Sequence, residues 1–324
     1  MKAIICTKYG SPDVLQLKEI ERPAPKEDEV LIKIHAASVN AADWHLLTAD
    51  IFLVRLMMGL FKPKYNILGA DVAGRVEAVG KNVKQFKLGD VVFGDIFGHG
   101  GGGFAEYVSA PENTLVLKPS NLSFEEAAAV PLAAVTALQG LRDSGQIQPG
   151  QKVLINGASG GVGTFAVQIA KSFGAEVTAV CSTRNLDMVR SIGADHVIDY
   201  AKEDFTQSGK QYDLILAVNG YHPLAAYKRA LTPQGIYVMA GGKPAQMFQA
   251  LLLGALMSER DGRKMKVLSA QSNQKDLLAV RELLEAGKVK PVIDKRFPLS
   301  EVPEAMRYLG TGHARGKVVI TVAE

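Results

Sequence analysis

The stretch Lys152–Gly163 reads KVLINGASGGVG. Lys152–Asn156 has the apolar run of a buried strand, and glycines at 157, 160, 161 and 163 set a tight turn behind it. From Val162 to Phe173 the pattern is helical, so the turn opens a helix. A helix start offers unpaired N–H groups and a positive dipole end, and glycine lets a backbone pass close to a pyrophosphate. A glycine-rich turn alone is weak evidence. Here a second strand, Glu176–Val180, follows the helix, and strand, turn, helix, strand is the context in which such a turn binds a dinucleotide. Ala158 stands where the first glycine of Gly-x-Gly-x-x-Gly would be, with Gly157 just before it.

Outward from this stretch, strands and helices alternate. Leu186–Ile192 and Pro223–Ala230 read as helices; His196–Ile198, Tyr212–Val218, Ile236–Ala240 and Lys266–Ser269 read as strands. This is the rhythm of a doubly wound parallel sheet. It begins after Ser123, which with Glu126 forms a capping box ahead of an alanine-rich helix, and a helix is expected over Leu132–Ser144. The first 123 residues differ. Lys2–Cys6, Leu15–Glu19, Val30–Ala36, Ile67–Val79, Asp90–Phe93 and Phe104–Pro111 are short strands divided by Gly and Pro, the pattern of a partly open β-barrel. After an amphipathic helix, Lys275–Ala286, and a short helix, Val302–Leu309, the strand Gly316–Val322 closes the chain. The expected organisation is a β-rich domain over 1–123, completed by 271–324, with a nucleotide-binding domain over 124–270 inserted in it.

The 324 residues are 47% hydrophobic and 22% charged with a net charge of +4, an ordinary globular balance that favours two domains. No Lys/Arg run points to nucleic acid. Two cysteines, Cys6 and Cys181, make neither a disulfide framework nor a multi-cysteine metal site, so a reducing, cytoplasmic setting is expected. The N-terminus reads as a first strand rather than a signal peptide. Ile51–Phe61 and Met247–Met257 are apolar but shorter than the roughly 18 residues a spanning helix needs. They are either core or pocket lining, or a greasy surface for peripheral contact with a membrane or partner.

At the end of the second nucleotide-domain strand, an acidic residue would bind the ribose 2′-hydroxyl of NAD. The chain has Ser182-Thr183-Arg184 there, hydroxyls and a guanidinium suited to a 2′-phosphate, so NADPH is the expected cofactor. The alternative is that Arg184 begins a solvated helix face. The six histidines are scattered, and no set of Cys, His and carboxylate ligands is spaced for a catalytic zinc.

With these features the chain resembles the zinc-free, quinone oxidoreductase branch of the medium-chain dehydrogenase/reductase superfamily, over nearly its whole length. The resemblance rests on SVNAAD (Ser38–Asp43), LGADVAGRVEAVG (Leu68–Gly80), GDVVFG (Gly89–Gly94), GGFAEYV (Gly102–Val108), Ala133–Ala137 and NGASGGVG. Asn40 stands where zinc-dependent relatives carry a cysteine ligand, and the stretch after Leu68 where they carry Gly-His-Glu. AVCSTRN (Ala179–Asn185) and HARGK (His313–Lys317) are similar to the group of reticulon-interacting and chloroplast envelope oxidoreductases. In that group LDNVG is usual where this chain has LAVNG (Leu216–Gly220), with Ala217 in place of an Asp.

The resemblance implies a Rossmann domain inserted in a GroES-like domain, and a homodimer. It implies cofactor contacts at Ser159, Gly161, Val162, Ser182, Tyr200, His313, Ala314 and Arg315, beside Gly160, Thr183 and Arg184 of the motifs, and places Asn40, Thr136, Asn219 and Gly241 along the cofactor. Tyr200 as a packed aromatic, and His313 and Arg315 as surface charges, are the simpler alternatives. The expected reaction is hydride transfer to a quinone or an α,β-unsaturated carbonyl. Asn40 and His45 are the candidates to polarise or protonate the acceptor, and Trp44, Phe52 and Met57 to line the site of a small hydrophobic substrate. A zinc-free alcohol dehydrogenase, or an NADPH-binding protein whose work is a membrane or partner contact, are the competing readings.

Overall fold

The computed structural model describes residues 1–50, 52–242 and 262–322, without the side chains of Phe52, Leu53 and Met57. The chain divides into two compact units. One comprises Met1–Ala133, Ser272–Glu285 and Pro291–Glu324; the other comprises Ala134–Gln271 and Ala286–Lys290.

The first unit is built on the 11-residue strand β3 (Glu29–Val39). A two-stranded sheet of β1 (Lys2–Cys6) and β2 (Leu15–Glu19) precedes it. Helices α1 (Ala41–Thr48) and α2 (Phe52–Met58) follow. Strand β3 pairs antiparallel with β4 (Asp71–Val79), and β4 with β5 (Val91–Asp95). Strand β6 (Tyr107–Pro111) pairs with β3 and β7 (Leu115–Leu117) with β5. The apolar side chains of β3 and β4 lie in a core with Phe86, Ile96 and Leu115. Strand β4 starts four residues later than the pattern predicts. Gly69 crosses the Gly103–Phe104 backbone with φ +102°, and a Cβ there would lie 2.7 Å from the Phe104 nitrogen, so this stretch is a close crossing rather than a strand.

Helix α3 (Phe124–Ala128) carries the expected capping box. Ser123 Oγ accepts from the Glu126 N–H at 3.1 Å, and Glu126 accepts from the Ser123 N–H at 2.8 Å. The helix expected over Leu132–Ser144 is instead α4 (Pro131–Gln139) followed by a wider turn, Gly140–Ser144. Gly140 and Gly145 flank that turn. The Gly145 N–H reaches the Gly140 carbonyl at 2.9 Å, five residues back, a spacing the α-helix does not use.

The second unit holds six parallel strands: β8 (Lys152–Asn156), β9 (Glu176–Cys181), β10 (His196–Asp199), β11 (Tyr212–Ala217), β12 (Leu231–Met239) and β13 (Lys264–Val267). Their spatial order is β10-β9-β8-β11-β12-β13, with every pair parallel. Counted within the unit this is 3-2-1-4-5-6, the order of a dinucleotide-binding sheet. Helix α5 (Gly161–Ser172) buries Gly163 through Ala170 against it, and α6 (Leu186–Ser191) and α7 (Leu224–Arg229) supply crossovers. Strands β8, β11 and β12 are almost wholly apolar inside, as strands covered on both faces must be.

Helices α8 (Gln274–Glu285) and α9 (Val302–Gly310), with strands β14 (Ile293–Pro298) and β15 (Lys317–Thr321), complete the first unit. Strand β15 joins β3 antiparallel and β14 parallel, which brings Lys317 beside the end of β3. The apolar segment Met247–Met257 lies outside the described residues.

Candidate active site

In the second unit the strand order reverses between β8 and β11, and ligands of open α/β sheets bind beyond the carboxyl ends of such strands. Gly157 ends β8 with φ +85°, and a Cβ there would lie 2.8 Å from the Asn219 nitrogen, so the two strand ends touch. Gly241, after β12, has its Cβ direction filled by the Val218 carbonyl. The first helical bond of α5 runs from the Thr164 N–H to the Gly160 carbonyl at 2.9 Å, leaving the N–H groups of Gly161, Val162 and Gly163 as the open start of the helix. A Cβ on Gly160 would meet nothing nearer than 3.7 Å, so the turn keeps an open face.

Beyond β9, Ser182 is half-buried and Thr183 and Arg184 are exposed. Thr183 donates its hydroxyl proton to Asp199 at the end of β10, and this bond holds the Asp199 carboxyl below its usual range. That proton is committed, which leaves the Ser182 hydroxyl and the Arg184 guanidinium as the side chains of the triplet that could donate to a phosphate. Tyr200 follows directly and is exposed. The Cys181 thiol, buried and near the Asp199 charge, is pushed up to about 11 and is no nucleophile. Among the expected cofactor residues, Ser159–Val162, Ser182–Arg184, Tyr200, Asn219 and Gly241 thus gather at the carboxyl ends of one sheet. Thr136 is buried on α4. These groups fit a phosphorylated dinucleotide: an open glycine face, a helix start, and hydroxyl and guanidinium donors instead of a carboxylate beyond β9.

In the first unit a buried polar cluster surrounds Asn40. The Asn40 amide donates to Asp71 Oδ2 at 2.9 Å, and Ser38 Oγ donates to the same oxygen at 2.8 Å. The Leu132 N–H donates to Asp71 Oδ1 at 2.9 Å. Lys317 Nζ lies 3.4 Å from Asp71 Oδ2 and donates to the Asn40 amide oxygen. Asn40 is also the first cap of α1, its N–H bound to Asp43 Oδ2 at 2.9 Å, while Asp43 Oδ1 accepts from the Gly69 N–H at 3.0 Å. Burial, reinforced by the neighbouring Asp71 charge, pushes the Asp43 carboxyl up to about 7.

The other expected site residues of this unit are dispersed. His45 Nδ1 pairs with Asp50 at 2.8 Å. Trp44 is half-buried, its ring filling the place a Cβ on Gly310 would take. Phe52 and Met57 lie on α2, their side chains outside those described; Met58 lines a small pocket with Tyr9, Leu46, Tyr65, Leu68 and Phe97. Three described side chains of that segment are exposed: Leu56 by 61%, Leu60 by 46% and Phe61 by 87%. His313 and Arg315 are exposed and Ala314 half-buried; the Arg315 N–H is held by Asp294 at 2.8 Å.

Sequence reasoning missed Asp71 and Lys317 as partners of Asn40. The signal was a lysine opening the apolar strand KVVIT, where a buried charge needs an acid. It also missed the buried Asn185, whose only signal was its place beside the Ser-Thr-Arg triplet.

Fold and site together describe a two-domain oxidoreductase that uses a phosphorylated nicotinamide dinucleotide. Residues 26–120 match the model of the alcohol dehydrogenase GroES-like domain, and residues 192–320 that of the zinc-binding dehydrogenase. The chain is 40% identical to the 2-methylene-furan-3-one reductase of Solanum lycopersicum, over 99% of this chain and 79% of the relative. It is 37% identical to the chloroplastic NADPH-dependent alkenal/one oxidoreductase of Arabidopsis thaliana, again over 99% and 79%. The solved quinone oxidoreductase of Coxiella burnetii superposes with a TM-score of 0.86 at 32% identity, covering 99% of each chain. The chain belongs to the zinc-free quinone oxidoreductase branch of the medium-chain dehydrogenase/reductase superfamily.

The zinc in one matching model's description does not fit these residues. Around Asn40 the donor set is an amide, a serine hydroxyl and two carboxylates; the Lys317 ammonium neutralises Asp71, and both oxygens of Asp43 are held by the Asn40 and Gly69 N–H groups. No cluster of three His, Cys, Asp or Glu side chains suited to a metal occurs among the described residues.

Proposed function

We propose that this protein transfers hydride from NADPH to an electron-poor acceptor, a quinone or the β-carbon of an α,β-unsaturated ketone or aldehyde. The observation that carries this reading is the pairing of the open Gly157–Gly163 turn with Ser182 and Arg184 beyond the next strand, on a sheet of order 3-2-1-4-5-6. The names of the relatives, a furanone reductase, an alkenal/one oxidoreductase and a quinone oxidoreductase, support the acceptor class. Bound NADPH supplies the hydride.

The chain's own residues bind and orient. The N–H groups of Gly161–Gly163 take the pyrophosphate, and Ser182 and Arg184 the 2′-phosphate, with Thr183 shaped by Asp199 and Tyr200 alongside. Asn219 and Gly241 keep the strand ends small. Thr136, His313, Ala314 and Arg315 are assigned cofactor contact on family resemblance alone. For Asn40, whose amide is engaged by Asp71 and Lys317, we assign a positioning role at the head of α1. His45 is the proton-donor candidate, Trp44, Phe52 and Met57 the acceptor-lining ones. Flexible, apolar walls suit small hydrophobic acceptors.

Strand β13 is the outer strand of its sheet, and we propose a homodimer through that edge. Leu56, Leu60 and Phe61, flanked by Arg55 and Lys62, are the surface we would assign to peripheral membrane contact; this patch also favours the second reading, a binding protein with little catalysis. No helix among the described residues is long and apolar enough to cross a membrane. The two buried, unpaired cysteines suit a reducing, cytoplasmic setting.

The test is NADPH consumption with panels of quinones, enones, enals and, in reverse, simple alcohols. Turnover of enones or quinones without alcohol oxidation supports the reductase. Tight NADPH binding with no turnover on any panel supports the second reading instead.

A further inference from the structure

Asn185 ends the short turn Thr183–Asn185 and leads into α6, yet its side chain is 4% exposed. Its amide nitrogen lies 2.9 Å from Ser159 Oγ, in the turn after β8, and 3.1 Å from Ser182 Oγ, beyond β9. The two residues carry one hydroxyl in each half of the nucleotide site, beside that of Thr183, which is spent on Asp199. An amide nitrogen has two protons, and here both are spent, one on each hydroxyl oxygen. A hydroxyl that accepts at its oxygen keeps its single proton to donate elsewhere.

We propose that Asn185 is a positioning residue for the cofactor: it occupies an acceptor site on Ser159 and Ser182 so that both hydroxyls present protons to phosphate oxygens. The reverse amide orientation would have its oxygen accept from both hydroxyls. Each would then show a lone pair to the ligand, and a phosphate, itself only an acceptor, would be repelled. The orientation present leaves Asn185 Oδ1 buried with no hydrogen-bond partner. Such an orphan is destabilising, and native proteins keep few of them. The turn retains it because the alternative spoils two phosphate donors at once. The Asn185 N–H also holds the Ser182 carbonyl at 2.9 Å, which fixes the backbone that carries the second hydroxyl.

This inference rests on the NADPH reading. Calorimetric titration of the full-length protein with NADPH and with NADH separates the two. Asn185→Ala should raise the NADPH Kd about tenfold or more, the range expected for hydrogen bonds to a charged group. In a Ser159→Ala/Ser182→Ala background the same change should alter it by less than about twofold, because Asn185 acts through those hydroxyls. Asn185→Asp keeps the volume but must accept from both hydroxyls, and should weaken NADPH at least as much as Asn185→Ala, and NADH less. It also serves if the alanine variant does not fold. An equal loss with and without the two serines, or no loss in either Asn185 variant, overturns the proposal while leaving NADPH binding by the unmodified protein intact. No NADPH binding by the unmodified protein overturns the cofactor reading and this inference together.

Discussion

The Lys317 ammonium lies 3.4 Å from Asp71 Oδ2, and neither side chain exposes more than 2% of its surface. Two charges taken this far from water repay their desolvation only if every remaining donor and acceptor is matched. Several are: Asp71 also accepts from Ser38, Asn40 and the Leu132 N–H, and Lys317 also donates to Asn40. The pair therefore locks β15 to the junction of β3 and β4, and sets the head of α1 through Asn40.

Removing one partner should be far worse than removing both. Lys317→Met strands a buried carboxylate and should destabilise the first unit by about 3–5 kcal/mol. Lys317→Met with Asp71→Asn should recover a large part of that loss, since no buried charge is left alone. The single tryptophan, Trp44, sits in this unit, so its fluorescence in urea reports the relevant transition. A double variant no more stable than the single one would refute this account of the pair.

Stability of the same unit should fall as pH rises from 5 to 8. Asp95 is buried opposite Asp71 on the neighbouring strand, and burial first, then the Asp71 charge, pushes its carboxyl up to about 7. Asp43 is pushed up to about 7 for the same reasons. A raised carboxylate pKa means that the folded chain holds the proton where the unfolded chain, near 4, has released it. The favourable contribution is full below about pH 4, is lost between 4 and 7, and is flat above. The two carboxyls, both beside Asp71, together should cost a few kcal/mol, on the order of what a two-unit separation of pKa and pH gives, between pH 5 and 8. Asp95→Asn keeps the bond from the Phe97 N–H and can donate to Ser272, so it should flatten its share of the slope. Urea midpoints of Trp44 emission across this range measure it, and a slope unchanged in the variant would assign the effect elsewhere.

Cofactor choice gives a third prediction. Arg184 is exposed beyond β9, where it can make a charge-assisted pair with a 2′-phosphate but only a weaker, neutral-acceptor bond with a ribose hydroxyl. Arg184→Ala should weaken NADPH by about 10–100-fold, as loss of a charge-assisted contact does, and change NADH by less than about threefold. Titration of both cofactors checks the ratio; equal losses would mean that Arg184 shapes the loop rather than reading the phosphate.

Much of the nucleotide half was legible in the sequence because its determinants are local. A strand, a glycine turn and a helix start fall within Lys152–Ser172, and Ser182–Arg184 follows the next strand directly. The first unit was less legible. Helix α1 hides behind a capping pattern, Asn40 and Asp43, that reads as a family motif before it reads as a helix start. The cluster around Asn40 joins residues 38, 40, 43, 71 and 317, which only the pairing of β15 with β3 and of β3 with β4 brings together. Charge pairing over such sequence distances has no period to read. Exposure misled as well: the apolar run ending at Phe61 has the composition of a core helix, but Lys62-Pro63-Lys64 follows it and Phe61 is 87% exposed.

Two glycines three residues apart, Gly160 and Gly163, should respond in opposite ways to a single methyl group. A Cβ on Gly163 would overlap the Gly157 carbonyl oxygen and lie 2.8 Å from the Ala158 backbone. Both are main-chain atoms of the turn and cannot swing aside, so Gly163→Ala should destabilise the second unit by about 1–3 kcal/mol, as overpacking does. Gly160 has φ −86° and open space in its Cβ direction. Gly160→Ala should therefore fold with a loss of about 1 kcal/mol or less, the difference between glycine and alanine at a helix N-cap. Its methyl would, however, stand on the open face that admits the pyrophosphate, so the NADPH Kd should rise about tenfold or more. Far-UV circular dichroism melts and NADPH titration of the two variants separate the effects. A Gly160→Ala variant that binds NADPH normally would place the pyrophosphate elsewhere than on this turn.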